Sequence, residues 1–229
     1  MKRIFTVFAI VSIANICLAQ SLETETRIVD SFIGIKVSSG INLYLTQDKE
    51  HKVIVEAGNK YINDVNTKVI NGILNISMAS NVKIRINSTI NVYVTISWIE
   101  SLDVSSAADV YCKERLKLEK LTVKNSSGSD TRLDIECRDL TLYSSSGSDI
   151  KAKGSTLNLI AKASSGSDIN TKELEAINAS LEASSGSDII AYVLGEIDAN
   201  ASSGSDITYY GNALPKTLKQ SGGSDIRKR

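Results

Sequence analysis

Seven aspartates close a repeated pentapeptide, and carboxylates at regular spacing offer more chemistry than any other residues in the chain. Ser-Ser-Gly-Ser-Asp ends at Asp130, Asp149, Asp168, Asp188 and Asp206 and returns as Ser221-Gly222-Gly223-Ser224-Asp225. A degenerate forerunner, Ser105-Ser106-Ala107-Ala108-Asp109, precedes them. Three kinds of chemistry fit such a set. Calcium takes hard oxygen ligands, and the motif brings carboxylate, hydroxyl and carbonyl oxygens together, so Asp109, Asp130, Asp149, Asp168, Asp188, Asp206 and Asp225 are candidate calcium ligands. Paired carboxylates can serve as acid and base on a glycosidic bond. Alternatively each carboxylate accepts hydrogen bonds from serine hydroxyls and turn amides, as aspartate does in many bends. Catalysis needs a walled cleft and residues that differ from repeat to repeat, whereas these turns are short and their aspartates equivalent. The chain therefore reads as a non-enzyme that requires no cofactor, with calcium the one ion its residues could take.

The elements that position these aspartates follow from their spacing. From Asp130 to Asp225 the steps are 19, 19, 20, 18 and 19 residues, which is the mark of a solenoid. Within a step the pattern has period two. Leu157, Leu159, Ala161, Ala163, Ser165, Ser167 and Ile169 share one parity, as do Ile177, Ala179, Leu181 and Ala183 in the following repeat. Alternation of this kind means strands with one buried face, and no helical periodicity interrupts it. The fold class expected is all-β, a parallel β-helix-like solenoid with coils of about 19 residues. Equivalent residues then lie over one another about 4.8 Å apart. Ile150, Ile169, Ile189, Ile207 and Ile226 should form one inward ladder, and Ser146, Ser165, Ser185 and Ser203 a second, narrower one. The glycines from Gly128 to Gly223 should supply a bend conformation that other residues strain, with Ala108 in that position in the first coil. Seven stacked carboxylates at that spacing repel by about 0.9 kcal/mol per pair in water, so they need compensation.

Upstream of the coils, Met1-Lys2-Arg3 and the apolar run Ile4 to Leu18 read as a secretory signal peptide over 1–19, cleaved after Ala19. Residues 20–27 are expected to be a flexible leader and 28–229 a single solenoid domain, with irregular first coils or a cap over 28–99 and regular coils over 100–229. No later segment is apolar and long enough to span a bilayer. Removing Lys2 and Arg3 leaves 26 − 2 = 24 basic against 26 acidic residues, which gives nucleic acid no reason to bind. Cys112 and Cys137 follow their aspartates by different offsets, against a disulfide between adjacent coils. His51 sits in a polar turn and is expected to be solvated, and Pro215 should mark a loop. Arg227-Lys228-Arg229 would discourage strand pairing at an open solenoid end, or else make electrostatic contact with an anionic surface or, in self-association through the ends, with another molecule.

The first half is β-rich without a clear period, and its motifs carry a resemblance. Phe32 to Leu45 contains a literal Gly40-Ile41-Asn42, and Asn71-Gly72 forms a turn before Ile73-Leu74-Asn75-Ile76. Together with the Ser-Ser-Gly-Ser-Asp-Ile coils, these resemble the head GIN domain family of secreted Bacteroidetes proteins, labelled "putative autotransporter adhesin". The resemblance implies a right-handed β-helix-like solenoid and export to the periplasm, outer-membrane surface or extracellular space. It implies adhesion to a surface glycan or protein ligand, a structural role in the cell envelope being the alternative, and it brings no catalytic residues. Tyr192, Tyr209 and Tyr210 would favour binding if exposed, although Tyr209 shares parity with the inward Ile207.

Overall fold

The computed structural model describes residues 22–82 and 88–229. The expected signal peptide lies outside the described residues. Those described form a β-solenoid of about seven turns of roughly 19 residues. No α-helix occurs among them, and no helix is long and apolar enough to cross a membrane.

The regular part begins with β8 (Ser101–Val104) and β9 (Asp109–Cys112). It continues through β10 (Leu116–Asn125), β11 (Asp130–Ser145), β12 (Asp149–Ser164) and β13 (Asp168–Ser184). The last coils are β14 (Asp188–Val193) with β15 (Glu196–Ser202), β16 (Asp206–Tyr210) with β17 (Leu214–Ser221), and β18 (Asp225–Lys228). Each coil pairs in parallel with the next, residue over equivalent residue. Thr131, Ile150, Ile169, Ile189, Ile207 and Ile226 stack in one column, and the isoleucines at 150, 169, 189 and 207 are at most 1% exposed. Full burial of each is worth about 1.5–3 kcal/mol.

Two parity assignments fail at the bends. Ser146, Ser165, Ser185 and Ser203 are exposed, with φ of 56 to 57°. Each is followed by a glycine that also has positive φ, so both residues turn outward, and the alternation resumes in its former parity at the fourth residue of the motif. The inward serines are the fourth of each motif: Ser129, Ser148, Ser167, Ser187 and Ser205, all 0% exposed. In the first coil the glycine's place belongs to Ala107, at φ 57°, and not to Ala108, which is buried. Leu157 and Ile177, expected inside, are 42% and 41% exposed, because a second corner again sets two residues in a row outside: Leu157 with Asn158, and Ile177 with Asn178. Pro215 lies in β17, not in a loop, opposite Ile197 where the register shifts. That is near the start of the strand, where a missing N–H is tolerated.

The N-terminal part folds back on the stack. Its strands are β1 (Leu22–Arg27), β2 (Gly34–Val37), β3 (Asn42–Gln47), β4 (Lys52–Gly58), β5 (Val65–Ile70), β6 (Ile73–Met78) and β7 (Ile90–Ile96). β2 pairs in parallel with both β6 and β8, and β3 with both β7 and β9. The segment 34–47 is therefore a coil inserted between β6 with β7 on one side and β8 with β9 on the other, out of chain order. β4 and β5 run antiparallel to β7 and β6, the second through the Asn71-Gly72 turn with φ of 52° and 75°. Part of the expected flexible leader, Leu22–Arg27, is strand β1, paired antiparallel with β4 over six residues. Its backbone amides find partners on the free edge of β4, which a flexible segment would leave unpaired.

Candidate functional site

The repeated pentapeptide solves the turn by hydrogen bonding alone. The amide of its first serine donates to the hydroxyl of its fourth, at 3.0 to 3.2 Å in all six clear copies. In the later coils that hydroxyl donates onward to a carbonyl of the coil before: Ser167 to Ser144 at 2.7 Å, Ser187 to Ala163 at 2.9 Å and Ser205 to Ala183 at 2.8 Å. A buried hydroxyl with both roles satisfied ties turn to turn. The glycine amide continues the ladder through the bend, as from Gly147 to the Ser165 carbonyl at 3.2 Å.

The aspartates do form one outward column. Asp109, Asp130, Asp149, Asp168, Asp188, Asp206 and Asp225 pair in unbroken register. The hydroxyl of the fourth serine faces inward, and the carboxylates find other partners. Asp168 and Asp188 each accept the amide of the next aspartate in the column at 3.2 Å. Asp109 accepts the Tyr111 hydroxyl at 3.3 Å, while Arg132 binds Asp130 at 3.2 Å and Arg227 Nε binds Asp225 at 2.7 Å. Desolvation raises the pKa of Asp168, and the charges of Asp149 and Asp188 add to the rise against the lowering by the Asp188 amide. The carboxylates stand in file, and among the described residues no three Asp, Glu, His or Cys side chains gather where one metal ion could be held.

Asn42 continues the column beyond Asp109, and Asn91 lies beyond Asn42. Ser38-Ser39-Gly40-Ile41-Asn42 is thus another copy of the motif, with Ser39 and Gly40 at φ of 69° and 66°. Its distance of 67 residues from Asp109 hides it from any count of regular steps. Two residues past the column runs a second one that the sequence reading missed: Tyr93, Tyr44, Tyr111, Arg132, Lys151 and Asn170. The three tyrosine rings stack with centroids 5.1 and 5.4 Å apart, Lys113 Nζ lies 4.5 Å from the Tyr93 centroid, and the Arg132 guanidinium lies over Tyr111 at 5.3 Å. Such contacts hold cations against an aromatic face without a carboxylate. The constant offset of two residues from Asn42, Asp109 and Asp130 is the signal that would have revealed the column.

Beside it a groove of about 450 Å³ is lined by Tyr111, Arg132, Asp134, Lys151, Asn170 and Glu173, among others. Asp134 holds Arg115 at 2.7 Å and Lys153 at 3.3 Å, and the Arg115 hydrogen bond draws its pKa down. Of the tyrosines singled out in advance, Tyr209 is buried, while Tyr192 and Tyr210 are half-buried neighbours. Cys112 and Cys137 are free, with burial pushing their pKa values up to about 12 and about 11, so neither thiol is primed as a nucleophile. His51 is not fully solvated: its ring packs on Phe32 and Nε2 meets the Ser97 hydroxyl at 2.8 Å.

The family described as "Putative auto-transporter adhesin, head GIN domain" matches residues 31–213. The solved structure of a putative adhesin from Bacteroides fragilis is similar with a TM-score of 0.84 and 19% identity, over 92% of this chain and 98% of that one. A putative lipid binding protein from Parabacteroides distasonis gives 0.72 and 17%, with the same coverages. A putative adhesin from that organism gives 0.73 and 16%, again over 92% and 98%. At these identities the likeness to the solved structures is one of fold. No curated protein matches the chain.

Proposed function

Since the chain belongs to the family described as "Putative auto-transporter adhesin, head GIN domain", we propose that it is an exported, non-catalytic adhesion module that binds a surface glycan or protein through the flank of its solenoid. The observation that carries this reading is the paired outward columns, Asp109 to Asp225 beside Tyr93 to Lys151. The aspartate column repeats one carboxylate at every coil, and the neighbouring column sets tyrosines and then cations beside it, so a ligand meets many weak contacts whose sum is avidity. Among the described residues burial suppresses both thiols as nucleophiles, which supports a surface that holds rather than transforms. Export rests on the apolar run at residues 4–18 following Lys2 and Arg3.

Beads coated with the chain test the reading on arrays of immobilised glycans and cell-surface proteins. Retention on at least one class is expected, reduced severalfold when Arg132→Ala and Lys151→Ala are combined. Beads retained nowhere beyond albumin-coated controls would remove adhesion as the function.

A further inference from the structure

The chain's only tryptophan, Trp98, is 48% exposed and lines a mostly apolar groove of about 450 Å³ at the second corner of the solenoid, well away from the aspartate column. Ile99 and Leu118 contribute to the groove, Ile99 being 1% exposed. Its charged lining is balanced: Lys117, Lys120 and Arg138 against Glu100, Glu119 and Asp139. These charges are largely engaged with one another or with neighbours, Lys120 with Glu100 at 2.9 Å, Arg138 with Asp139 at 3.8 Å and Lys117 with Glu136 at 3.7 Å.

The same corner continues along the axis. Leu157, Ile177 and Leu194, at 42%, 41% and 37% exposure, stand at it in successive coils. Beside them runs a polar ladder in which Asn158 donates to Asp139 at 2.7 Å and Asn178 to Asn158 at 3.2 Å. An apolar track thus runs beside a line of amides and carboxylates, open at the surface.

We propose that this corner is a binding site for a neutral polysaccharide, with Trp98 as its stacking platform. The inference rests on the adhesion reading and gives it a ligand class. A half-exposed indole suits the C–H surface of a sugar ring, and hydroxyls, which donate and accept at once, match a wall that offers carboxylates and cationic donors in equal number. Charge complementarity decides against the rivals. An anionic polymer or an acidic membrane surface needs a surplus of free cations, and these are paired. A lipid tail needs an enclosed apolar cavity, and this groove lies open at the surface.

Trp98 reports on its own site. Emission is titrated with neutral oligosaccharides derived from mannan, cellulose and chitin, and in parallel with a uronic-acid oligosaccharide and with phosphatidylcholine vesicles. A saturable change with a neutral sugar is expected. By calorimetry, Glu119→Gln should weaken binding about tenfold, the size expected for a lost hydrogen bond to a charged group. Trp98→Ala should abolish it and Trp98→Phe should retain part of it, circular dichroism showing both variants folded. A response to vesicles or uronic acid alone, or to none of the probes, overturns the assignment. Coated beads that adhere to neutral-sugar arrays equally well with Trp98→Ala overturn this site and leave adhesion through the aspartate and tyrosine columns standing. Beads that adhere nowhere, together with a saturable neutral-sugar titration, overturn adhesion and leave the sugar site.

Discussion

Asp168 sits mid-column between Asp149 and Asp188, and its raised pKa makes it a residue that weakens the fold at neutral pH. The folded chain holds this proton more tightly than the unfolded one. Stability therefore falls as pH rises through the window between the ordinary aspartate pKa and the raised value, and is regained on acidification. Asp168→Asn keeps an oxygen to accept the Asp188 amide while removing the charge. Its unfolding midpoint should exceed that of the parent at pH 7, with the difference shrinking to nothing below the ordinary aspartate range. A variant less stable than the parent at pH 7 would show that the carboxylate earns more from its amide than it loses to its neighbours. The column itself was legible from spacing, because parallel in-register stacking turns a repeat into a line. Which serine faces inward was not: Ser165 and Ser167 share the inward parity, and the positive φ of Ser165 and Gly166 turns the first outward at the bend while the second stays buried.

At the level of the element, the bends decide which glycines matter. Gly154 has φ of 116°, and a Cβ there would lie 2.0 Å from the Ile135 carbonyl oxygen of the coil before. Gly147, in the repeated motif at φ of 67°, has nothing within 4 Å of such a Cβ. Gly154→Ala should therefore cost more than about 3 kcal/mol, strain and clash together. Gly147→Ala should cost only the left-handed backbone penalty of about 1–2 kcal/mol. Denaturant midpoints of the two variants decide it, and equal losses would refute the distinction. Ala107 already holds φ of 57° in the first coil, consistent with the smaller cost. The motif glycine announces itself by recurring in every repeat from Gly128 to Gly223. Gly154 occurs once, and only the approach of the neighbouring backbone shows its importance.

Taken whole, the molecule stabilises its carboxylate file by amides, arginines and a tyrosine, each supplied by the stack, with no convergent group for an ion among the described residues. The unfolding midpoint should be the same with excess chelator and with millimolar calcium. A rise of several degrees with calcium and not with magnesium would make the column a metal site. The sequence by itself determined the solenoid, its step, the isoleucine ladder and the aspartate file, because a repeat whose length matches one coil brings like over like and the alternation of strand faces does the rest. Tertiary structure alone decided what depends on contacts between distant segments. It set the coil 34–47 between two coils that follow it in the chain, closed that end with antiparallel strands, and so laid Tyr44 between Tyr93 and Tyr111. It also turned Trp98 and Leu157 outward at a corner. Local periodicity carries no record of such placements, since the free energy that fixes them is gained between segments tens of residues apart.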